Sequence, residues 1–261
     1  MNILDQIVLE KKNHLKYLSQ KVNKKNNFKS TNSNSFLNAI ESNINKNKNA
    51  LITEFKRYSP SVKSFNKVRY LQDVIEQYHK SKCCCISILT DKNFGGSLND
   101  INVAKKISNK PIIRKDFIIN EAQVFETKEF GADAILLIAK ILSKSEIKKL
   151  YKLANKIGLD VLIEIESVLE AKKIRDIDAK LIGINNRNLK TLEVSLNNTI
   201  SIFEVIKTHK GPIISESGIK TANDAKYIYE KTGIKNFLIG ESLLKSDNPS
   251  ELMKKLIQIT Q

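Results

Sequence analysis

Eight short apolar runs, each followed by a longer amphipathic segment, set the tightest limit on what this chain can fold into. The runs are Ala50–Phe55, Cys84–Leu89, Pro111–Arg114, Ala134–Ile138, Val161–Ile165, Leu181–Ile184, Pro212–Ile214 and Asn236–Ile239. Each has the length, the β-branched content and the near-continuous hydrophobicity of a strand buried on both faces, as in a parallel sheet covered by helices. Between them apolar residues recur three and four apart, as in Val68-Leu71-Val74-Ile75-Tyr78, Ile147-Leu150-Leu153-Ala154-Ile157 and Ala222-Ala225-Ile228-Tyr229. That spacing gives a helix one apolar stripe to lay on the sheet. Ser143 ahead of one such segment, and Gly158 and Gly233 behind two of them, are helix start and stop signals.

Run starts fall about 20–35 residues apart, the length of a strand plus a crossover helix, and eight such units predict an α/β fold, the (β/α)8 TIM barrel. An open doubly wound sheet would usually show a Gly-rich phosphate fingerprint after its first strand, and Ile52-Thr53-Glu54-Phe55-Lys56 leads into none. The first 48 residues stand apart. Ile3-Leu4-Ile7-Val8 and Leu15-Leu18 predict an amphipathic helix, followed by a polar link and a short helix around Phe36-Leu37-Ile40. The expectation is a single domain: an N-terminal helical extension, 1–48, packed across one end of a barrel spanning 49–261.

Composition narrows the partners. Lys and Arg number 44 against 28 Asp and Glu, a formal charge of +16 that raises the question of a nucleic-acid partner. Only Arg57, Arg69, Arg114, Arg175 and Arg187 are arginines, and the lysines are scattered through every segment. Single-strand binders gather charge into stripes interleaved with aromatics, whereas aromatics here are 7% and Trp is absent. The charge is therefore assigned mainly to solvated surface, and no nucleic-acid role is expected. No apolar run approaches the roughly 20 residues that span a bilayer, and Met1 to Lys12 lacks the pattern of a secretory signal. The three cysteines are consecutive, Cys83 to Cys85, which fits neither a disulfide framework nor metal-ligand spacing. A cytoplasmic protein with no membrane contact is expected.

Strand parity then isolates a candidate site. Alternate residues of a barrel strand point inward, and function concentrates at the C-terminal strand ends. Ile52, Glu54 and Lys56 share a face, as do Ile113, Lys115 and Phe117, then Leu162 and Glu164, then Gly183, Asn185 and Arg187. Polar groups thus follow apolar ones on one face in four strands and converge on one mouth. A lone Glu54–Lys56 pair reads more readily as a structural ion pair at the barrel rim. Glu164 inside Val161-Leu162-Ile163-Glu164-Ile165 is costly without a partner, and enclosure would fit it for acid–base work. Two carboxylates, two lysines, an arginine and an asparagine together indicate a site for an anionic substrate. After the seventh and eighth runs, Ser215-Glu216-Ser217-Gly218 and Ile239-Gly240-Glu241 place glycines where barrels often bind phosphate through backbone N–H groups.

With these segments in hand the sequence resembles the indole-3-glycerol phosphate synthases of tryptophan biosynthesis. The likeness is carried by Thr53-Glu54-Phe55-Lys56-Arg57-Tyr58-Ser59-Pro60-Ser61, by Ser87-Ile88-Leu89-Thr90-Asp91 with Phe94-Gly95-Gly96-Ser97, and by Pro111-Ile112-Ile113-Arg114-Lys115-Asp116-Phe117-Ile118. It continues through Ala132-Asp133-Ala134-Ile135-Leu136-Leu137-Ile138, Val161-Leu162-Ile163-Glu164, Gly183-Ile184-Asn185-Asn186-Arg187-Asn188-Leu189 and Glu216-Ser217-Gly218-Ile219. The resemblance implies a carboxy-lyase that closes 1-(2-carboxyphenylamino)-1-deoxyribulose 5-phosphate to the indole, losing carbon dioxide and water without metal or redox cofactor. It implies Lys115 as general acid and Glu164 as general base, with Glu54 and Glu216 as supporting carboxylates and Lys56 holding an anionic end of the substrate. Arg187, Asn185 and Ser59 would orient the carboxylate end. Ser217, Gly218, Gly240 and Glu241 would contact phosphate, chiefly through the backbone, and Phe94, Phe117 and Leu136 would line the anthranilate pocket.

Parity alone leaves the direction of Glu216 open. Glu166 departs from the family pattern, which often has His or Asp there, and stands two residues beyond Glu164 on the same face, so the choice of base between the two is also open. Phosphoribosylanthranilate isomerase, another phosphate-binding barrel, would use a Cys/Asp pair, and the Cys83 to Cys85 run lacks that context. A monofunctional monomer acting on a small substrate that bears phosphate and carboxylate is expected.

Overall fold

The structure, a computed structural model, describes residues 3–18, 35–59 and 70–259. The expected polar link after Leu18, and Pro60, Ser61 and Val68, lie outside the described residues. Two helices, α1 (Ile3–Leu18) and α2 (Ser35–Asn45), precede β1 (Ala50–Phe55). Then α3 (Leu71–Lys80), β2 (Cys85–Leu89), α4 (Asn99–Ile107), β3 (Ile112–Lys115), α5 (Glu121–Glu129), β4 (Ala134–Ile138), α6 (Lys144–Lys156) and β5 (Asp160–Ile165) alternate. The second half runs α7 (Val168–Ile174), β6 (Ile182–Asn185), α8 (Asn197–Ile206), β7 (Ile213–Glu216), α9 (Ala222–Thr232), β8 (Asn236–Ile239), α10 (Glu241–Lys245) and α11 (Pro249–Ile257). Each strand pairs in parallel with the next, and β8 closes on β1 through Ala50 opposite Asn236 and Ile52 opposite Leu238. This is the expected (β/α)8 TIM barrel.

Strand residues divide by parity between two cores, which is what makes the apolar runs continuous. Ile52, Ile113, Leu136, Leu162, Ile214 and Leu238 fill the barrel interior. Leu51, Ile86, Ile112, Leu137, Ile163, Ile184 and Phe237 face outward into the layer beneath the helices. Helix punctuation acts as the sequence indicates. Ser143 Oγ accepts from Glu146 N, and Glu146 Oε2 accepts from Ser143 N, a reciprocal cap at the start of α6. Gly233 ends α9 at φ 74°, a left-handed conformation that glycine adopts without strain.

Expected across one end, the extension uses both. α2 closes the N-terminal end, where Phe36 N and Leu37 N each donate to Asp160 Oδ2 at 3.0 Å and Phe36, Leu37 and Ile40 join the interior core. α1 lies at the opposite end, over the loops that follow the strands. Lys11 there reaches both Asp91, after β2, and Asp116, after β3, at 2.9 and 2.6 Å. No helix among the described residues is long and apolar enough to cross a membrane.

Candidate active site

A cavity of about 370 Å³ opens at the C-terminal ends of the strands. Its floor is polar because inward parity passes from apolar to charged residues at the last inward-facing position of several strands. Glu54 follows Ile52, Lys115 follows Ile113, Glu164 follows Leu162, and Glu216 follows Ile214. Lys115 Nζ lies 2.5 Å from Glu164 Oε2 and 2.8 Å from Glu216 Oε2, two carboxylates whose side chains are 2% exposed. Asn185 Nδ2 donates to Glu164 Oε1 at 3.1 Å, while Asn185 Oδ1 accepts from Arg187 N at 2.9 Å, so one amide fixes both the carboxylate and the start of the next loop. Lys56 Nζ pairs with Glu54 Oε1 at 2.6 Å.

Register makes room for this crowding. Asn185 stands opposite Glu216, and Gly183 opposite Glu164. A Cβ on Gly183 would come within 2.0 Å of Glu216 Oε1, and a Cβ on Gly240 within 2.6 Å of Glu54 Oε1. Both glycines are therefore spaces that carboxylates occupy, and Gly240 does more than expose a backbone N–H.

Charge balance follows from the geometry. Burial alone would discharge Lys115, but Glu164, Glu216 and Glu54 outweigh it and hold the ammonium firmly charged. Burial pushes the Glu216 carboxyl up from 4.5 to about 7; Lys115 opposes the rise, and Glu164 and Glu54 add to it. Among the described residues, Glu216 Oε1 has no hydrogen-bond partner. The floor thus holds one permanent ammonium and a carboxyl that gains or loses its proton near neutrality. At the rim Arg187 Nη2 lies 3.2 Å from Glu241 Oε2, and Arg187 Nη1 donates to Leu192 O at 3.1 Å. Burial would raise Glu241, yet Lys245, Lys56 and Arg187 bring its carboxyl below the ordinary range.

The walls are apolar. Phe94 and Phe117 meet with ring centroids 6.3 Å apart and planes tilted by 32°, and Leu136, Ile138 and Leu189 continue the surface. Ile3, Leu4 and Ile7 of α1 complete it. The Lys11 clamp holds that helix in place: Asp116 sits between Lys11 and Arg114, whose charges overcome burial and bring its carboxyl down to about 2. On the far side, five consecutive residues, Glu216 to Lys220, line the cavity. An extended strand cannot do that. Ser217 at φ 63° and Gly218 at φ 79° leave the strand conformation and so bring both parities to the same side. Ser242 Oγ donates to Ile219 O at 2.6 Å, tying this loop to the one after β8.

The model of the indole-3-glycerol phosphate synthase family matches residues 4–256. The chain belongs to the indole-3-glycerol phosphate synthase family. Relatives of that name are 36% identical in Polynucleobacter necessarius, over 98% of each chain, and 39% identical in Staphylococcus aureus, over 98% of this chain and 97% of the relative. Among solved structures, tryptophan synthase subunit alpha from Legionella pneumophila superposes with a TM-score of 0.61 at 17% identity, covering 85% of this chain and 96% of that one. 3-Hexulose-6-phosphate synthase from Salmonella typhimurium gives 0.63 at 14% identity, over 80% and 97%. At those identities the two share the barrel alone.

Every residue that the family resemblance assigns to the site lines this one cavity: Glu54, Lys56, Ser59, Phe94, Lys115, Phe117, Leu136, Glu164, Asn185, Arg187, Glu216, Ser217, Gly218, Gly240 and Glu241. Glu216 turns inward with Ile214, the direction that parity with Ser217 left open. Glu166 does not reach the cavity. Its carboxylate pairs with Lys140 at 2.6 Å and accepts from Leu189 N at 2.9 Å, so Glu164 alone of the two faces the cavity. Sequence reasoning missed the contribution of α1; an amphipathic stripe with no core of its own was the available signal. Among the described residues no group of three or more His, Cys, Asp or Glu could hold a metal ion.

Proposed function

We propose that the chain is an indole-3-glycerol phosphate synthase that closes 1-(2-carboxyphenylamino)-1-deoxyribulose 5-phosphate to indole-3-glycerol phosphate with loss of carbon dioxide and water. The observation that carries the reading is the Lys115 ammonium held between Glu164 and Glu216 on the floor of a cavity with aromatic walls. In the first step the ring carbon that bears the carboxylate attacks the ketone carbon, and Lys115 gives a proton to the oxygen as it becomes a hydroxyl. Loss of carbon dioxide returns its bonding electrons to the ring system. The hydroxyl then leaves as water with a second proton, given by Lys115 after the amine has taken one up from solvent, and Glu164 takes the proton from the neighbouring carbon, which completes the aromatic indole. Proton transfer of this kind contributes about 10²–10⁴-fold per positioned group.

The other residues bind and orient. Asn185 holds the Glu164 carboxylate, while Glu54 and Glu216 maintain the charged state of Lys115 and face the substrate hydroxyls or amine. Lys56 and Arg187 neutralise the anionic ends, Arg187 exchanging Glu241 for the substrate carboxylate with Ser59 beside it. Ser217, Gly218, Gly240 and Glu241 take the phosphate through their backbone, and Phe94, Phe117 and Leu136 enclose the aromatic ring. Each step needs proton transfer and charge stabilisation, which these side chains supply, so the reaction proposed uses no cofactor or metal. The chain acts as a monomer in the cytoplasm, with no nucleic-acid or membrane partner, and sedimentation equilibrium tests the monomer directly.

Because the sequence contains no Trp, indole formation can be followed by fluorescence against a low protein background. Purified protein given the synthetic substrate is expected to release carbon dioxide and the fluorescent indole in equal amounts. Absence of either product would overturn the reading.

A further inference from the structure

Asn186 lies between two cavity residues, Asn185 and Arg187, but points the other way, into the layer between the sheet and α8, and is 2% exposed. Its amide is fully engaged. Nδ2 donates to Ser215 Oγ at 3.0 Å and to Ser217 O at 3.1 Å; Oδ1 accepts from Thr199 Oγ1 at 2.8 Å and Thr199 N at 3.1 Å. Thr199 and Ser215 are fully buried and share a further hydrogen bond of 2.8 Å. The backbone of Asn186 adds two ties, its N–H to Glu216 O and its carbonyl to Ser195 N.

This network ends on the carbonyl of a residue that needs holding. Ser217 has φ 63°, a left-handed backbone that is costly for any residue with a Cβ. The next residue, Gly218, has φ 79°, and a Cβ there would meet Val194 Cγ1 at 2.6 Å. Glycine meets the conformational demand at one position; at the other the chain carries serine and relies on the buried amide.

We infer that Asn186 is a positioning residue for phosphate: by fixing Ser217 O it holds Ser217 and Gly218 in the left-handed turn that brings their backbone to the cavity. The inference rests on the proposal that this loop binds the substrate phosphate. Asn186 touches no reacting atom, so its loss raises KM and leaves kcat nearly unchanged.

The test measures inorganic phosphate binding by calorimetry alongside KM and kcat for wild type, N186A, T199V and the double variant N186A/S217G. N186A is expected to weaken phosphate binding and raise KM about tenfold, the loss of a buried hydrogen bond that restrains the loop, with kcat changed less than about threefold. T199V keeps the asparagine but removes one of its two Oδ1 donors. It is expected to shift both constants the same way by a smaller factor, and it carries the test if N186A does not fold. Glycine adopts positive φ freely, so S217G in the N186A background is expected to recover most of the lost phosphate affinity. If wild type binds phosphate and N186A binds it equally well, or if N186A is weak and S217G restores nothing, the role assigned to Asn186 is wrong. If wild type itself binds no phosphate, the placement of phosphate on this loop fails and takes the inference with it.

Discussion

Replacing Lys115 with Met removes an ammonium from among three carboxylates and keeps the aliphatic stem. In the native site Lys115 Nζ lies 2.5 and 2.8 Å from Glu164 and Glu216, both nearly inaccessible to solvent, and Glu54 adds a third negative charge. Breaking a buried pair by removing one partner costs about 3–5 kcal/mol, because the other charge is left uncompensated. For a domain of this size each kcal/mol lowers Tm by about 2–4 °C, so a loss of roughly 10 °C is expected where all three carboxylates are ionised. The loss must depend on pH. Glu216 already titrates near 7 with Lys115 beside it, and without that ammonium its value moves higher still. A carboxyl raised in the folded state contributes stability fully present below its unfolded value near 4.5 and lost as pH rises through the folded value. Thermal denaturation of K115M against wild type should therefore show a small difference at pH 5 and the full difference at pH 9. Equal losses at both values would mean that the carboxylates do not depend on Lys115, and the electrostatic account of the floor would be wrong.

Three further outcomes follow from the same geometry. In wild type, the rise of the Glu216 carboxyl from 4.5 to about 7 costs the ionised form about 3 kcal/mol, so stability should fall between pH 5 and 8; E216Q should flatten that decline, and pH-dependent melting curves read it. Gly183→Ala would drive a methyl to 2.0 Å from Glu216 Oε1, so a loss of about 1–3 kcal/mol in chemical denaturation and a fall in kcat are expected together. K11M frees α1 from Asp91 and Asp116: KM should rise as Ile3, Leu4 and Ile7 loosen, and Tm should fall. Because Asp116 is depressed from 3.8 to about 2, the stability it gives is present above 3.8 and is lost as pH falls through 2, so the difference between K11M and wild type should shrink over that range.

The barrel is legible in the sequence because burial on two faces writes itself as apolar runs, and inward parity carries Glu54, Lys115, Glu164 and Asn185 to their places. Parity works only while the chain stays extended. It failed to place Ser217 relative to Glu216 because a left-handed residue breaks the alternation, and a positive φ on serine has no sequence signature. Glu166 shares parity with Glu164 but lies beyond the strand end, where Lys140 and Leu189 N draw it away; partners from other elements decide such positions. The division of the extension between the two barrel ends was hidden for a similar reason. Both helices show an apolar face, but only the Asp160 carboxylate under α2 and the Asp91–Asp116 pair beside α1 determine which end each covers. Gly240 reads as a phosphate contact in sequence and Gly183 as one more inward strand position, whereas each makes room for a carboxylate from a neighbouring strand.

The central claim is that Lys115 delivers and Glu164 removes the protons of ring closure. Its most direct test is the turnover of K115A and E164Q on the synthetic substrate, followed by indole fluorescence, with circular dichroism verifying that each variant keeps the native fold. Both are expected to lose about 10²–10⁴-fold in kcat while inorganic phosphate still binds at the opposite side of the cavity. If either folded variant turns over within a few-fold of wild type, the acid and base lie elsewhere and the mechanism is contradicted.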